Sequence, residues 1–139
     1  MSQQNVELVR RLWDEFEEGI KRGDPGAWIK SDAVADDFEW ILSEPLDGRS
    51  IWRGREEYVE FIRTWTDQFD HWSIRAERLI DAGDDQVVLL SHQTATGRES
   101  GVPVELKLWQ LADINDGRLI RVTIYFTHTD ALEAAGLRE

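Results

Sequence analysis

The apolar positions at the start of the chain recur at helical spacing. Val6, Val9, Trp13, Phe16 and Ile20 form one stripe, with Arg10, Asp14, Glu17 and Lys21 between them, a pattern that predicts an amphipathic helix. Ser2 stands where an N-cap belongs and Gly23 where a left-handed stop belongs. Asp24-Pro25 restarts the chain as a cap and first-turn proline. The second helix this predicts is short and partly buried, through Trp28, Ile29 and Val34. Phe38 to Leu42 reads as a strand, and Ser43 to Arg53 as a loop around Pro45 and Gly48. From Gly54 a further helix carries Glu56 and Glu57 in its first turn, where the helix dipole favours them. Its apolar face is Tyr58, Phe61, Ile62, Trp65 and Phe69.

Past residue 70 the apolar positions alternate instead. The runs 71–81, 86–96, 102–114 and 118–128 are separated by Asp81-Ala82-Gly83-Asp84-Asp85, by Gly97 to Gly101 and by Asn115-Asp116-Gly117. Short turn signals between alternating runs predict an antiparallel meander. A small helix closes the chain, with Asp130 and Glu133 at capping-box spacing and Gly136 as its stop. Helices followed by a meander define an α+β domain over residues 1–139, with the helices covering one face of a curved antiparallel sheet.

Alternation also predicts which side chains face inward. Ile120, Val122, Ile124 and Phe126 are apolar in the last run, and Val104, Leu106 and Leu108 in the run before it. Even positions therefore oppose even positions, which favours a three-residue loop at Asn115-Asp116-Gly117 with Gly117 at positive φ. Carried across the sheet, this parity gives rows of Trp72, Thr94, Val104 and His128; of Ile74, His92, Leu106 and Phe126; of Ala76, Leu90, Leu108 and Ile124; and of Arg78, Val88, Gln110 and Val122. The inner face is then apolar at its centre, with His92, Thr94 and His128 at one end and Arg78 and Gln110 at the other. His92 and His128 would lie on the order of 10 Å apart. Helices bearing Trp13, Phe16 and Trp65 cover this face, and Trp40 stands on the first strand, so a small-molecule pocket is expected here.

Composition narrows the partners. The 139 residues carry 16 basic and 28 acidic side chains, for a net charge of −12, which repels phosphate backbones and excludes nucleic acid as an expected partner. No apolar run approaches the roughly 18 residues of a membrane span. With no cysteine, disulfides, thiolate metal sites and cysteine nucleophiles are excluded. No His or Asp spacing matches a metal motif and no glycine-rich phosphate loop is present, so neither metal nor cofactor is expected. The N-terminal Met1-Ser2-Gln3-Gln4 lacks the basic and apolar regions of a signal peptide, and a cytoplasmic location is expected. Seven tryptophans are unusual for one small chain.

The order helix, helix, strand, helix, four-strand meander resembles the SnoaL-like branch of the nuclear transport factor 2-like superfamily. The resemblance rests on Val6-Glu7-Leu8-Val9-Arg10-Arg11, Arg22-Gly23-Asp24, Phe38-Glu39-Trp40, Trp52-Arg53-Gly54-Arg55-Glu56-Glu57, Leu79-Ile80-Asp81-Ala82-Gly83-Asp84 and Gly117-Arg118-Leu119-Ile120-Arg121-Val122. It implies a cone-shaped, cystatin-like roll around a pocket, and homodimers formed through the outer sheet face. The superfamily includes polyketide cyclases, ketosteroid isomerase, scytalone dehydratase, limonene epoxide hydrolase and non-enzymatic binding modules, so fold alone does not settle function. Glu44-Pro45 is similar in placement to the isomerase's acidic base, whereas its two oxyanion donors would align with Phe16 and a position near Trp109.

Candidate chemistry follows from these placements. Glu44 in an aromatic mouth would be a general base with its pKa raised by desolvation. His92 and His128 titrate near neutrality and would serve as acid and base. Trp13, Phe16, Trp40, Trp65, Arg78 and Gln110 would line the substrate site. The cluster Arg49, Arg53 and Arg55 would hold an anionic group or form a solvated loop. Two functions are expected from this set. One is a cofactor-independent isomerase, cyclase or hydrolase, or a binder, acting on a small apolar polyketide- or terpenoid-like molecule. The other is a non-catalytic dimeric interaction domain with a vestigial pocket.

Overall fold

The first apolar stripe folds as α1 (Ser2–Lys21), burying Leu8, Val9, Leu12, Trp13 and Phe16. The computed structural model describes residues 2–46, 48–83 and 85–136, without the side chains of Ser2, Leu46 and His128. The expected Ser2 cap therefore lies outside the described residues. Gly23 ends α1 at φ 79°, its N–H donating to the Ile20 carbonyl at 3.1 Å. The chain then folds back so closely that the Asp24 N–H donates to the Gly19 carbonyl at 2.7 Å. A Cβ on Gly19 would run into the Asp24 carbonyl oxygen. In place of the expected second α-helix stands a 3₁₀ turn, Ala27–Lys30, with Trp28 and Ile29 buried and no side-chain cap at Gly26.

The segment expected to be a loop is a hairpin. β1 (Val34–Leu46) pairs antiparallel with β2 (Arg49–Arg53), and Trp40 faces Trp52 across the ladder. α2 (Gly54–Thr66) follows, burying Tyr58, Phe61 and Ile62. Arg55 binds α2 to its surroundings. Its Nε donates to the Ile29 carbonyl and its Nη2 to the Val34 carbonyl, both at 2.8 Å, and Nη1 pairs with Asp36.

The meander is β3 (Phe69–Asp81), β4 (Gln86–Gly97), β5 (Pro103–Asn115) and β6 (Arg118–Tyr125). The sheet order is β2-β1-β6-β5-β4-β3, and β1 lies parallel to β6. The sheet is therefore mixed rather than purely antiparallel. α3 (His128–Ala134) packs on β5 and β6, capped by Thr127, whose hydroxyl accepts from the Asp130 N–H at 3.2 Å. Thr127, not Asp130, is the cap.

Register departs from uniform parity between β4 and β5 and at two bulges in β3, the first between Asp70 and Ser73. Gly101 N–H bonds to the Gly97 carbonyl and Gly97 N–H to the Val102 carbonyl, so the β4–β5 loop runs from Gly97 through Val102 and Thr96 faces Pro103. That one extra loop residue puts odd positions of β4 opposite even positions of β5: Ser91 opposes Leu108 and Gln93 opposes Leu106. A bulge between Ala76 and Arg78 then shifts β3, so that Ile74 and Ala76 face inward before it and Leu79 after it. The β5–β6 turn has two residues, Asp116 at φ 53° and Gly117 at φ 73°, the primed geometry that matches strand twist. A bulge after Asp113 restores the parity that a three-residue loop would have given, so Leu119 and Val122 face inward while Ile120 leaves the apolar row.

On the outer face a chain of polar groups crosses five strands. Arg53 Nε (β2) and Arg121 Nε (β6) bind the two oxygens of Glu39 (β1) at 3.0 and 3.2 Å. Arg121 reaches Asp113 (β5) at 3.8 Å, which accepts from Gln86 (β4) at 2.8 Å. The Arg53 guanidinium, then that of Arg121, hold the Glu39 carboxyl below the usual carboxylate range against its partial desolvation.

Two outcomes test this architecture. A helical glycine normally gains from replacement by alanine, but Gly19→Ala should cost about 1–3 kcal/mol by overpacking. Thermal unfolding should read this as a midpoint lowered by roughly 3–10 °C. Glu39 has a depressed native pKa, so its stabilisation is present above the unfolded value of about 4.3 and is lost as pH falls through the native one. Denaturant titrations between neutral and strongly acidic pH should therefore show a shallower acid loss in Glu39→Gln, from a lower starting stability.

Candidate functional site

A half-enclosed cavity of about 40 Å³ lies between α1, the 3₁₀ turn, α2 and the inner sheet face. α1 contributes Val9, Leu12, Trp13 and Phe16; Trp28 and Tyr58 close it from the 3₁₀ turn and α2; Trp40, Leu89, Gln110, Ala112, Leu119 and Val122 form its floor. Its aromatic rings pack mostly edge to face: Trp13 and Phe16 at 5.4 Å between centroids, Trp28 and Tyr58 at 5.1 Å, Trp40 and Tyr58 at 5.0 Å. Such geometry places positive ring edges on negative faces and fixes the walls. One water needs about 10–15 Å³ on this measure, so the resting cavity holds a few atoms and must widen for anything larger.

Polarity inside is sparse. The Trp28 indole N–H donates to the Tyr58 hydroxyl at 2.9 Å, and Tyr58 is fully buried. Burial pushes the phenol pKa well above its usual value, against the opposing effect of the Trp28 hydrogen bond. The Trp13 N–H donates to Glu17 at 2.6 Å. Trp40 differs: its Nε1 is buried with no hydrogen-bond partner among the described residues. The Gln110 carboxamide likewise makes no hydrogen bond among them, unlike Gln93, which accepts from Trp72 at 3.1 Å.

Of the expected site residues, the structure brings Trp13, Phe16, Trp40 and Gln110 together in this lining. It separates the others. His92 faces outward because of the odd β4–β5 register, opposite Lys107. There its Nε2 lies 2.8 Å from Glu105 and its Nδ1 3.9 Å from Glu77. Arg78 falls beyond the β3 bulge and is exposed beside Leu90 on the outer face. Glu44 is exposed on β1 and outside the cavity lining, so the desolvation expected of it is missing. Trp65 is half-buried between Phe61 and Phe69, away from the cavity. The side chain of His128 lies outside the described residues. The arginine cluster is internally spent: Arg49 pairs with Glu57, Arg53 with Glu39 and Arg55 with Asp36. Sequence reasoning missed Trp28 and Tyr58 as cavity walls, although a tyrosine within an otherwise hydrocarbon helix face is a usable signal.

Trp28 has a second position. It also lines a groove on the opposite side, between α1 and the 3₁₀ turn, with Arg11, Asp14, Glu18 and Arg22. It is the one residue common to both linings. On the outer sheet face, where the resemblance expects a dimer contact, Val88, Leu90, Trp109 and Leu111 form an apolar patch that packs with Ala131 of α3. Among the described residues no cluster of three or more His, Asp or Glu could hold a metal. No helix among them is long and apolar enough to cross a membrane.

A mixed six-stranded sheet curled over an aromatic cavity beneath a long first helix is the NTF2-like fold. The chain belongs to the SnoaL-like domain family, whose model matches residues 9–122. An NTF2-like protein of unknown function from Burkholderia pseudomallei K96243 is similar at 20% identity and TM-score 0.69, over 94% of this chain and 95% of its own. A protein from Bacillus subtilis provisionally assigned as an isomerase reaches TM-score 0.74 at 16% identity, over 95% and 94%. A protein from Jannaschia sp. CCS1 provisionally assigned as a SnoaL-like polyketide cyclase reaches 0.72 at 22%, over 96% and 91%. No curated protein sequence matches the chain.

The two tyrosines of the chain offer a direct test of this interior. Desolvation raises both, with Asp113 and Asp130 adding to the effect at Tyr125. Their contribution to stability is thus present below the unfolded value of about 10 and is lost as pH rises through the native ones. Tyr58 should contribute no tyrosinate absorbance in the native protein at pH 10 and should ionise with alkaline unfolding. Ionisation of both tyrosines in the still-folded protein at pH 10 would contradict the packing around Tyr58.

Proposed function

We propose that this domain binds a small, neutral, mostly apolar molecule in the aromatic cavity. The observation that carries the reading is the lining itself: five aromatic rings and six aliphatic side chains around one carboxamide. Binding is favoured over acid–base turnover because that lining contains no carboxylate or imidazole among the described residues. Glu44 and His92, the expected base and acid, stand outside it. A general base must reach the proton it removes within hydrogen-bond distance or through one water. Tyr58 is the ionisable member of the lining, and its raised pKa keeps it a neutral donor at physiological pH. The similarity to proteins assigned as an isomerase and a polyketide cyclase supports a small-molecule ligand without specifying a reaction.

The test uses ethylbenzene as an apolar probe. A ligand held only by the native state stabilises by about 2.7 kcal/mol at one hundred times its Kd, so the thermal midpoint should rise by several degrees. Tryptophan emission should change too, because Trp13, Trp28 and Trp40 line the cavity. Ala112→Leu, which fills the floor, should abolish both responses while leaving the protein folded. An unchanged midpoint and unchanged emission in the parent protein would overturn the reading.

A further inference from the structure

Three polar groups of the cavity differ in what they have left to give. Trp28 Nε1 is committed to Tyr58 at 2.9 Å. Trp40 Nε1 is buried in a residue only 7% exposed and has no partner among the described residues. A buried donor left unmade carries a penalty of several-fold to more than a hundredfold in an equilibrium, and native proteins leave few such groups without a purpose. The indole N–H can only donate. Gln110 is the third group, its carboxamide unbonded among the described residues and part of the same lining.

The sheet register brings these two toward one volume. Trp40 (β1), Val122 (β6) and Ala112 (β5) form one inward row, with Trp40 opposite Val122 and Val122 opposite Ala112. Gln110 lies two residues from Ala112 along β5, on the same face, opposite Ile124. Its neighbour on the other side, Leu89, is also in the lining. An N–H donor at one end of this row and an amide two residues along β5 from its other end therefore flank a hydrocarbon floor. Tyr58 lies beside the donor, its ring 5.0 Å from that of Trp40, with its hydroxyl oxygen already accepting from Trp28.

We propose that Trp40 Nε1 and the Gln110 amide form an acceptor-reading pair, so that the cavity selects apolar molecules bearing a carbonyl oxygen over their hydrocarbon counterparts. This rests on the binding reading above and adds the chemical class of its ligand. Charged ligands are disfavoured, since the lining supplies no counter-ion among the described residues. Both groups are specificity determinants: they set which molecule stays and take no part in bond making.

The experiment compares acetophenone with ethylbenzene, which share a skeleton and differ by a carbonyl in place of a methylene. Calorimetric titration of the full chain should give tighter binding of the ketone by roughly 3- to 10-fold, the yield of one net hydrogen bond. Trp40→Phe keeps an aromatic ring and deletes the donor, and Gln110→Leu keeps the shape and deletes the amide. Either variant should bring the ratio of the two affinities close to one, chiefly by weakening the ketone. Gln110→Leu serves where Trp40→Phe disturbs the packing. A ratio near one in the parent protein, or one unchanged in both variants, overturns the acceptor-reading pair and leaves the apolar cavity standing. Failure of both molecules to bind the parent protein overturns the binding reading itself.

Discussion

The register between β4 and β5 governs the character of both sheet faces. A strand has only two directions in which to send a side chain, so one residue more or less in the connecting loop exchanges every group between inside and outside. With Val102 in the loop, Leu89, Ser91 and Gln93 turn inward and Val88, Leu90 and His92 turn outward. The cavity is thereby left without an imidazole from β4. The outer face gains both a charged corner, where His92 meets Glu77 and Glu105, and an apolar centre that α3 covers. The bulge in β3 and the paired turn and bulge between β5 and β6 are local adjustments to that frame. Each returns an apolar side chain to the inner row: Leu79 in the first case, Leu119 and Val122 in the second.

Much of this was legible in the chain because it depends on local period. The stripe from Val6 to Ile20, the helix from Gly54 and the four alternating runs each specify their own element. The wrapped α+β architecture follows from their order. Parity across a turn does not depend on local period. Gly97-Arg98-Glu99-Ser100-Gly101 and the same segment extended by Val102 are equally good turns, and the hydrogen bond from Gly97 to Val102 that separates them is a tertiary fact. Trp13 and Phe16 line the cavity from a helical stripe, and the inward parity of Trp40 and Gln110 does not pass through that loop. His92 depended on it, and Arg78 on a bulge without a glycine to announce it. The hairpin of β1 and β2 was hidden by Pro45 and Gly48, which mark its end rather than a loop throughout.

Three of the motifs that carry the family resemblance also perform structural work on the face opposite the cavity. Phe38-Glu39-Trp40, Trp52-Arg53-Gly54-Arg55 and the segment from Gly117 to Val122 each supply one member of the Arg53, Glu39 and Arg121 cluster. In the first two, the neighbouring residues Trp40 and Trp52 face each other on the inner side. In the third, Val122 does so against Trp40. Alternation thus couples a polar lock on one face to an aromatic floor on the other. In this chain the motifs that carry the resemblance also hold the lock that fixes the parallel β1–β6 pair in register.

Trp28 is a single indole separating the interior space from the groove beside α1, and it sits on a four-residue turn without a side-chain cap. Its bond to Tyr58 is the latch on that partition. That bond ties the turn after α1 to α2 across the cavity, so a displacement of either wall is felt by the other.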